Sequence, residues 1–263
     1  MTRELDRRLA FAHDLADAAG NVIRPYFRKR IAVTDKGGAG FYDPVTEADR
    51  GAEDIMRRMI GENFPQDAIL GEEFGSTAGT SGYRWVLDPV DGTRAFIAGQ
   101  PLWGTLIGLE HEGAPVLGVL DQPFLRERFT GAGGRAELRN SDGTAPLTTR
   151  PCGGLSEALI CTTHPMTHFT PHEREQFWRV ESACRLSRYG GDCYAYGLLA
   201  MGFVDLVVET GLKRWDIVAI VPIIEGAGGI VTDWKGDPMG QGGAIIAAGD
   251  ARVHAQALAL LRA

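Results

Sequence analysis

The sequence predicts a fold that is α+β in its first half and α/β in its second half. The first half combines long helical apolar periodicity with a β-hairpin pattern, and from Leu155 onward short strands alternate with helices. This change of pattern predicts an N-terminal α+β part with an antiparallel sheet over residues 1–145 and a C-terminal α/β part over residues 146–263.

Two helices and several short strands are predicted in the first half. Apolar residues recur at helical spacing from about residue 4 to residue 30, where Pro25 is expected to kink the last turns. Thr46 and Asp49 match a capping box, which predicts a second helix that ends near Asn63. The predicted strands lie at 31–33, 68–70, 84–87, 102–109, 116–120 and 128–130, with a flexible loop at 36–40 and a surface segment at 74–83.

The second half is predicted to alternate strands with helices. The predicted strands lie at 158–162, 184–187, 204–209, 229–232 and 244–248, and the predicted helices lie at 171–180, 193–201, 217–226 and 251–261. The helix at 217–226 is apolar on all sides, so we expect it to be buried between layers.

Composition excludes several classes of protein. The chain has 263 residues, of which 44% are hydrophobic and 23% charged, and its formal net charge is −7, which leaves no basic footprint for nucleic acid. No secretory segment follows the N-terminus and no apolar run reaches about 18 residues, so we expect no membrane span. Four cysteines without C-x-x-C spacing favour reduced thiols in a cytoplasmic protein.

The stretch Asp88-Pro89-Val90-Asp91-Gly92-Thr93 suits a cation and a phosphate together. The strand at 84–87 is expected to break at Asp88-Pro89, which leaves two carboxylates on either side of the Val90 carbonyl. Such oxygens are ligands for a hard cation such as Mg²⁺, and the N–H groups of Gly92 and Thr93 could bind phosphate oxygens. The alternative is a pair of ordinary turns, Asp-Pro followed by Asp-Gly.

Three more acids lie at the ends of predicted elements. Glu72 follows the strand at 68–70, Asp49 opens the second helix, and Asp216 opens the apolar helix. Each also has a structural interpretation: a solvated strand end for Glu72, and helix caps for Asp49 and Asp216. If all these acids met, their charges would repel unless a cation neutralised them, which favours a multi-metal Mg²⁺ site for phosphate-ester hydrolysis.

The motifs resemble those of the inositol monophosphatase family. The resemblance rests on Asp88-Pro-Val-Asp-Gly-Thr93, with Asp43-Pro-Val-Thr-Glu-Ala-Asp49 and Gly71-Glu-Glu73 before it and Trp215-Asp216 after it. It implies a layered αβαβα sandwich, phosphomonoester hydrolysis with two or three Mg²⁺ ions, and a homodimer. The implied metal ligands are Glu72, Asp88, Asp91, Asp216 and the Val90 carbonyl, most of them in the N-terminal part.

The resemblance also implies roles for the remaining site residues. Gly92 and Thr93 would hold the phosphate through their N–H groups, while the Thr93 hydroxyl and Asp49 would orient and deprotonate the attacking water. Glu209 matches the position that contacts the polyol in the inositol enzymes.

Within the family, two segments resemble bacterial histidinol-phosphatases. They are Arg94-Ala-Phe followed by Pro101-Leu-Trp-Gly-Thr-Leu-Ile-Gly108, and Arg188-Tyr-Gly-Gly-Asp-Cys-Tyr-Ala-Tyr196. The implied substrate is L-histidinol phosphate, whose ammonium and imidazole suit acidic partners such as Asp192 and Glu209. The other interpretations are Asp192 as a helix N-cap, and Arg94 as either a phosphate contact or the partner of a neighbouring acid.

Two alternatives stay open at this level. The substrate could be an inositol phosphate or another small sugar phosphate, or the chain could be a metabolite-binding scaffold that has kept the fold. His164, His168 and His172 recur every four residues, but Pro165 and Pro171 interrupt that spacing, which favours a loop over a metal site.

Overall fold

A computed structural model describes residues 3–30, 32–36 and 44–263. The helices are α1 Arg3–Ile23, α2 Glu47–Asn63, α3 Thr93–Ile97, α4 Pro165–His168, α5 Pro171–Ala183, α6 Asp192–Ala200, α7 Arg214–Ile217, α8 Ile220–Gly226 and α9 Ala251–Arg262. The strands are β1 Val33–Asp35, β2 Pro44–Thr46, β3 Ala68–Gly71, β4 Gly75–Thr77, β5 Tyr83–Asp91, β6 Gly104–His111, β7 Ala114–Gln122, β8 Glu127–Ala132, β9 Arg135–Asn140, β10 Gly143–Pro146, β11 Leu159–Thr162, β12 Leu186–Tyr189, β13 Leu206–Lys213, β14 Ile230–Thr232 and β15 Gly242–Ala248.

Two large sheets organise the described residues. The first has the order β10-β9-β8-β7-β6-β5-β3-β4 and is antiparallel except for the β3–β5 pair. The second has the order β12-β11-β13-β15-β14, in which β11 runs parallel to both β12 and β13. The predicted antiparallel sheet is therefore correct for most of its pairs and wrong at β3, because the chain returns from β3 to β5 by way of the edge strand β4 and enters β5 in the same direction.

Helices fill the space on both sides of each sheet. The pair α1 and α2 covers one face of the eight-stranded sheet, α6 and α8 lie between the two sheets, and α5 and α9 cover the outer face of the second sheet. Three apolar cores separate these layers, as expected for faces that must be removed from water. The layered αβαβα architecture is confirmed, whereas the division of the chain at residue 145 stays a prediction.

A row of glycines brings the middle layer close to the first sheet. Gly108, Gly118 and Gly131 are register partners across β6, β7 and β8. A Cβ on Gly118 would lie 1.8 Å from the Ala219 carbonyl oxygen, and one on Gly131 would lie 2.3 Å from the Ile223 nitrogen. Only glycine permits this approach, which holds the segment from α7 to α8, and with it Asp216, against the sheet that carries Asp88.

Several predicted boundaries differ from the structure at prolines. The helix α1 ends at Ile23 and does not reach residue 30, because Pro25 disfavours helical backbone at Arg24 and lacks an N–H. The strand β5 does not break at Asp88-Pro89 but runs to Asp91, and its register with β6 shifts between Asp88 and Asp91. A bulge of this kind accommodates proline within a strand.

Other differences reflect local irregularity that periodicity does not reveal. The apolar helix predicted at 217–226 is two short helices, α7 and α8. Strands β2, β4, β9 and β10 and helices α3 and α4 were not predicted, and β1 and β12 each lie two residues after their predicted start. The predicted flexible loop at 36–40 falls mostly outside the described residues, as does Ile31.

Candidate active site

A cleft of about 270 Å³ opens where the bulge of β5 faces α6, α7 and the end of β13. Its lining includes Glu72 together with every acid predicted for the site except Asp49: Asp88, Asp91, Asp192, Glu209 and Asp216. Side chains that lie far apart along the chain therefore meet at one place.

The β5 bulge positions Asp88 and Asp91. The Val90 N–H donates to Asp88 Oδ1 at 3.1 Å, and the Thr105 hydroxyl donates to the Pro89 carbonyl at 2.8 Å. The Cys193 N–H, at the start of α6, donates to Asp91 Oδ2 at 2.7 Å. The bulge is thus fixed from two sides, by β6 and by α6.

Asp216 completes a group of three carboxylates. It lies at the third position of α7, where it accepts a hydrogen bond from the Lys213 N–H at 2.6 Å. One oxygen from each of Asp88, Asp91 and Asp216 lies within 4.8 Å of the others. A set of hard oxygen donors this close together fits a divalent cation such as Mg²⁺, so helix capping and cation binding are compatible roles for Asp216.

The charges of these acids are destabilised in the protein alone. Burial, and then repulsion from Glu72, Asp91 and Asp216, raises the pKa of Asp88 well above its ordinary value. Burial, and then repulsion from the charge of Asp91, also raises the pKa of Asp216 well above its ordinary value. Burial raises the pKa of Glu72 to about 7, although Lys36 opposes this shift with an Nζ that lies 3.0 Å from Glu72 Oε1.

Asp49 both caps a helix and lies behind Thr93, which lines the cleft. The capping box predicted from Thr46 and Asp49 is present, with the Thr46 N–H donating to Asp49 Oδ2 at 2.9 Å. The other carboxylate oxygen, Oδ1, lies 3.5 Å from the Thr93 hydroxyl, which is also 3.1 Å from the Val90 carbonyl. Burial raises the pKa of Asp49 to about 6, even though the bonds from Thr46 lower it.

Gly92 and Thr93 form the turn into α3. Gly92 has a left-handed φ of 83°, and a Cβ there would lie 3.0 Å from the Asp192 Cβ. Glycine is therefore required both by the backbone conformation and by the close approach of α6.

Asp192 has no hydrogen-bond partner for its carboxyl among the described residues. Its predicted role as an N-cap is wrong: Gly191 is the capping residue, and Asp192 has a left-handed φ of 43° without a capping bond. Burial, followed by the charges of Asp91 and Glu209, raises its pKa to about 8, while Arg94 acts in the opposite direction.

The carboxylate of Glu209, in contrast, accepts three hydrogen bonds. Its Oε1 accepts from the Thr163 N–H at 2.8 Å and from the Thr163 hydroxyl at 2.5 Å, and its Oε2 accepts from the Tyr196 hydroxyl at 2.7 Å. Its carboxylate therefore lies at the cleft in one orientation.

Histidines line the outer part of the cleft, where the sequence predicted a loop. His164 precedes α4 and His168 ends it, and both line the cleft, whereas His172 lies in α5 outside it. The Nε2 of His168 lies 3.3 Å from an Arg94 Nη1, so Arg94 contacts a histidine as well as exerting its charge on Asp192. Among the described residues, the three histidines do not form a group that could hold a metal ion.

Three residues that support the site had no role predicted from the sequence. Lys36 contacts Glu72 and Glu73, while Thr163 and Tyr196 hold Glu209. None of these has a local signal: a lysine before glycines, a threonine after a strand and a tyrosine on a helix are common. The glycines and the Asp-Pro-Val-Asp motif were recognisable because they act within a few residues of one another.

Fold and site together define a layered αβαβα protein with an acidic cleft that could hold a divalent cation. A model of the inositol monophosphatase family matches residues 4–263. The chain is 46% identical to the bifunctional phosphatase IMPL2, chloroplastic, of Arabidopsis thaliana, over 97% of this chain and 75% of that protein. It is 36% identical to a histidinol-phosphatase of Chlorobaculum parvum, over 87% of this chain and 86% of the relative.

Solved structures agree with this. An inositol monophosphatase from Zymomonas mobilis superposes with a TM-score of 0.87 at 42% identity, covering 100% of both chains. The chain belongs to the inositol monophosphatase family. It is a phosphoric monoester hydrolase.

Proposed function

We propose that this enzyme is a Mg²⁺-dependent histidinol-phosphatase of histidine biosynthesis, which converts L-histidinol phosphate and water into L-histidinol and phosphate. Three relatives named histidinol-phosphatase support the substrate, at 36%, 34% and 33% identity over at least 84% of this chain. The observation that carries the proposal is the half-buried Asp192 carboxyl, which lines the cleft without a hydrogen-bond partner among the described residues.

The acids of the β5 bulge and α7 would hold the metal. Two or three Mg²⁺ ions would be held by Glu72, Asp88, Asp91, Asp216 and the Val90 carbonyl, whose donor chemistry fits a hard cation. Bound Mg²⁺ supplies positive charge that neutralises the phosphate and makes a water molecule easier to deprotonate.

The chain's own residues orient the reactants. The Gly92 and Thr93 N–H groups would bind phosphate oxygens at the turn into α3. The Thr93 hydroxyl and Asp49 Oδ1 would hold the attacking water, and Asp49 would accept its proton. The raised pKa of Asp49, about 6, makes it a better base than an ordinary aspartate while leaving it mostly ionised at neutral pH.

Asp192 and Glu209 would select the organic part of the substrate. Histidinol carries an ammonium group and an imidazole, and a carboxyl whose charge is destabilised by burial gains most from a cationic partner. Glu209 would present its carboxylate in the orientation that Thr163 and Tyr196 fix. Arg94, in contact with His168, would place positive charge at the side of the phosphate.

Phosphate release from a panel of substrates tests this proposal. With Mg²⁺, histidinol phosphate is expected to give a higher kcat/KM than inositol 1-phosphate or a sugar phosphate. Asp192→Asn is expected to lower kcat/KM for histidinol phosphate on the order of 10²-fold, because a buried charge-assisted contact is lost, with a smaller change for inositol 1-phosphate. The exposed Asp54→Asn on α2 is the matched control.

The second candidate substrate is inositol 1-phosphate, because the Zymomonas mobilis protein is described as an inositol monophosphatase. Faster turnover of inositol 1-phosphate than of histidinol phosphate would reject the histidine assignment. Absence of Mg²⁺-dependent hydrolysis for every member of the panel would favour a metabolite-binding scaffold.

The proposal includes a cytoplasmic homodimer. Among the described residues, four of the exposed large apolar side chains (Met166, Trp178, Leu186 and Tyr189) lie on α4, α5 and the edge strand β12, which supports self-association. No helix in the described part of the chain is both long and apolar enough to cross a bilayer. Sedimentation velocity would measure the oligomeric state.

A further inference from the structure

A second cleft, which shares no lining residue with the catalytic cleft, lies between α1 and the first sheet. It has a volume of about 510 Å³, larger than the catalytic cleft of about 270 Å³. Its charged lining consists of Asp17 on α1, Arg24 directly after α1, Asp121 on β7, Arg126 in the β7–β8 turn, Arg128 on β8 and Arg139 on β9. We refer to the cleft lined by these six residues as the arginine cleft.

The charge of this cleft is opposite to that of the molecule. Four arginines and two aspartates give its lining a formal charge of +2, from 4 − 2, within a chain of net charge −7. A concave positive site on an acidic protein attracts anions that the rest of the surface repels.

Arg128 forms a fixed base for the cleft. Its side chain is buried, and it donates to Asp121 Oδ1 at 2.6 Å, to Asp17 Oδ1 at 2.7 Å and to the His13 carbonyl at 3.2 Å. A Cβ on Gly20 would lie 3.0 Å from Pro123, so glycine lets α1 approach β7 closely at this point. Both aspartates therefore contact Arg128, which fixes the base of the cleft.

The other arginines keep donors for a ligand. Arg126 is exposed and makes no hydrogen bond or ion pair with the described residues, and its left-handed φ of 61° fixes the turn that carries it. Arg139 is half-exposed, and its nearest carboxylate oxygen, on Asp17, is 3.9 Å away. The side chain of Arg24 donates to two acceptors in the last turns of α1, the Gly20 carbonyl and Asn21 Oδ1.

The electrostatic potential at His13, which neighbours the cleft, is positive. The pKa of His13 is lowered, first by burial and then by the charges of Arg128 and Arg139, which outweigh those of Asp17 and Asp14. The paired aspartates therefore do not cancel the field of the arginines.

The geometry points to a binding site for a small phosphate-bearing metabolite in the arginine cleft. Guanidinium groups bind phosphate oxygens in pairs, and a volume near 500 Å³ is typical of pockets for small organic ligands and larger than a single ion needs. Asn21, Asn140 and Ser141, which also line the cleft, would bind the polar body of the ligand.

Calorimetric titration with inorganic pyrophosphate tests the site. The full-length protein is first freed of metal on a chelating resin, because without Mg²⁺ the acidic catalytic cleft repels the probe. Wild type is expected to bind, and Arg126→Asn/Arg139→Gln is expected to weaken Kd at least tenfold. Asparagine is chosen at position 126 because it tolerates left-handed backbone, so this variant should fold like wild type.

Two controls separate the arginine cleft from binding elsewhere on the protein. Arg179→Gln removes an exposed arginine on α5 and is expected to bind pyrophosphate as wild type does, as is Asp192→Asn in the catalytic cleft. Absence of binding to wild type, or equal binding by the double variant, would overturn the proposal. Citrate binding as tight as that of pyrophosphate would overturn the assignment to phosphate.

Discussion

The buried and half-buried acids of this enzyme fall into two groups that differ in what neutralises their charge. Outside the catalytic cleft they contact arginines, in the pairs Asp67–Arg8, Glu110–Arg214, Asp121–Arg128 and Asp205–Arg150. Inside it, Asp88, Asp91 and Asp216 make no ion pair with the described residues, and their pKa values are raised by burial and, for Asp88 and Asp216, by the charges of neighbouring acids that include Asp91 and Glu72.

This difference indicates what each group does. A buried acid with an arginine holds the chain together, and removing either partner leaves an uncompensated charge. A cluster of acids without one destabilises the folded protein until a cation arrives, since a pKa raised by one unit means that the charged form is about 1.4 kcal/mol less favourable. If the cleft binds Mg²⁺ as proposed, its acids lower the stability of the metal-free protein and raise its affinity for divalent metal.

The largest effect is expected for Asp91→Asn. Phosphate release with Mg²⁺ should fall on the order of 10³-fold, because one charged ligand of the cation site is lost. The metal-free variant should unfold at the same temperature as wild type or a higher one, because a repulsive charge has been removed. Assays with Asp54→Asn give the background, and unfolding of Asp91→Asn in circular dichroism would mean that this acid is structural.

Asp67→Asn should have the opposite effect to Asp91→Asn: a loss of stability with unchanged activity. Asp67 accepts from Arg8 Nε at 3.0 Å, from Trp85 Nε1 at 3.0 Å and from the Ser81 hydroxyl at 2.6 Å. Its loss should lower the free energy of unfolding by about 3 kcal/mol, because the buried Arg8 then keeps only the half-exposed Glu4 as an ion-pair partner. Urea unfolding measures this, and kcat below the transition should be unchanged. A loss of kcat without a loss of stability would contradict the structural role assigned to the acids that pair with arginines.

The third prediction concerns the pH dependence of the metal-free protein. Glu72 and Asp192, with pKa values of about 7 and about 8, bind protons more tightly when folded than when unfolded. Their favourable contribution is complete near pH 4 and is lost as pH rises through 7 and 8, so the free energy of unfolding should fall by about 2 kcal/mol between pH 6.5 and pH 8.5. His13, His168 and His254, whose pKa values are lowered, act the other way only below about pH 6.5.

Saturating Mg²⁺ is the control for this pH series, because a bound cation favours the ionised acids. The slope should then vanish or change sign in urea unfolding at the same pH values. A metal-free protein whose stability rises with pH would contradict the assignment of the cleft acids.

The residues of the site were predicted from short sequence motifs. The features that were not predicted depend on contacts between segments that are distant in the chain. The capping box of Thr46 and Asp49 and the Asp-Pro-Val-Asp-Gly-Thr motif act through neighbours in the chain, so both were recognisable. The unbroken strand β5 was not, because the bulge at Pro89 depends on the hydroxyl of Thr105 in another strand. Likewise, the boundary between α7 and α8 lies where Val218 and Ala219 pack on the glycine row, a contact that apolar periodicity does not encode.

The smallest effect is expected for Arg150→Ala. This variant tests whether the contribution of an ion pair to the free energy of unfolding depends on how deeply the pair is buried. Arg150 donates to both oxygens of Asp205, at 2.7 and 2.5 Å, but 41% of its side chain is exposed, whereas the Arg8 side chain is 5% exposed. Water can replace a partly exposed arginine, and Asp205 keeps the bond from the Leu159 N–H at 2.7 Å. We therefore expect a loss of about 1 kcal/mol in urea unfolding, and less for Arg150→Lys. A loss as large as that of Asp67→Asn would show that the number of bonds, and not burial, sets the stability of these pairs.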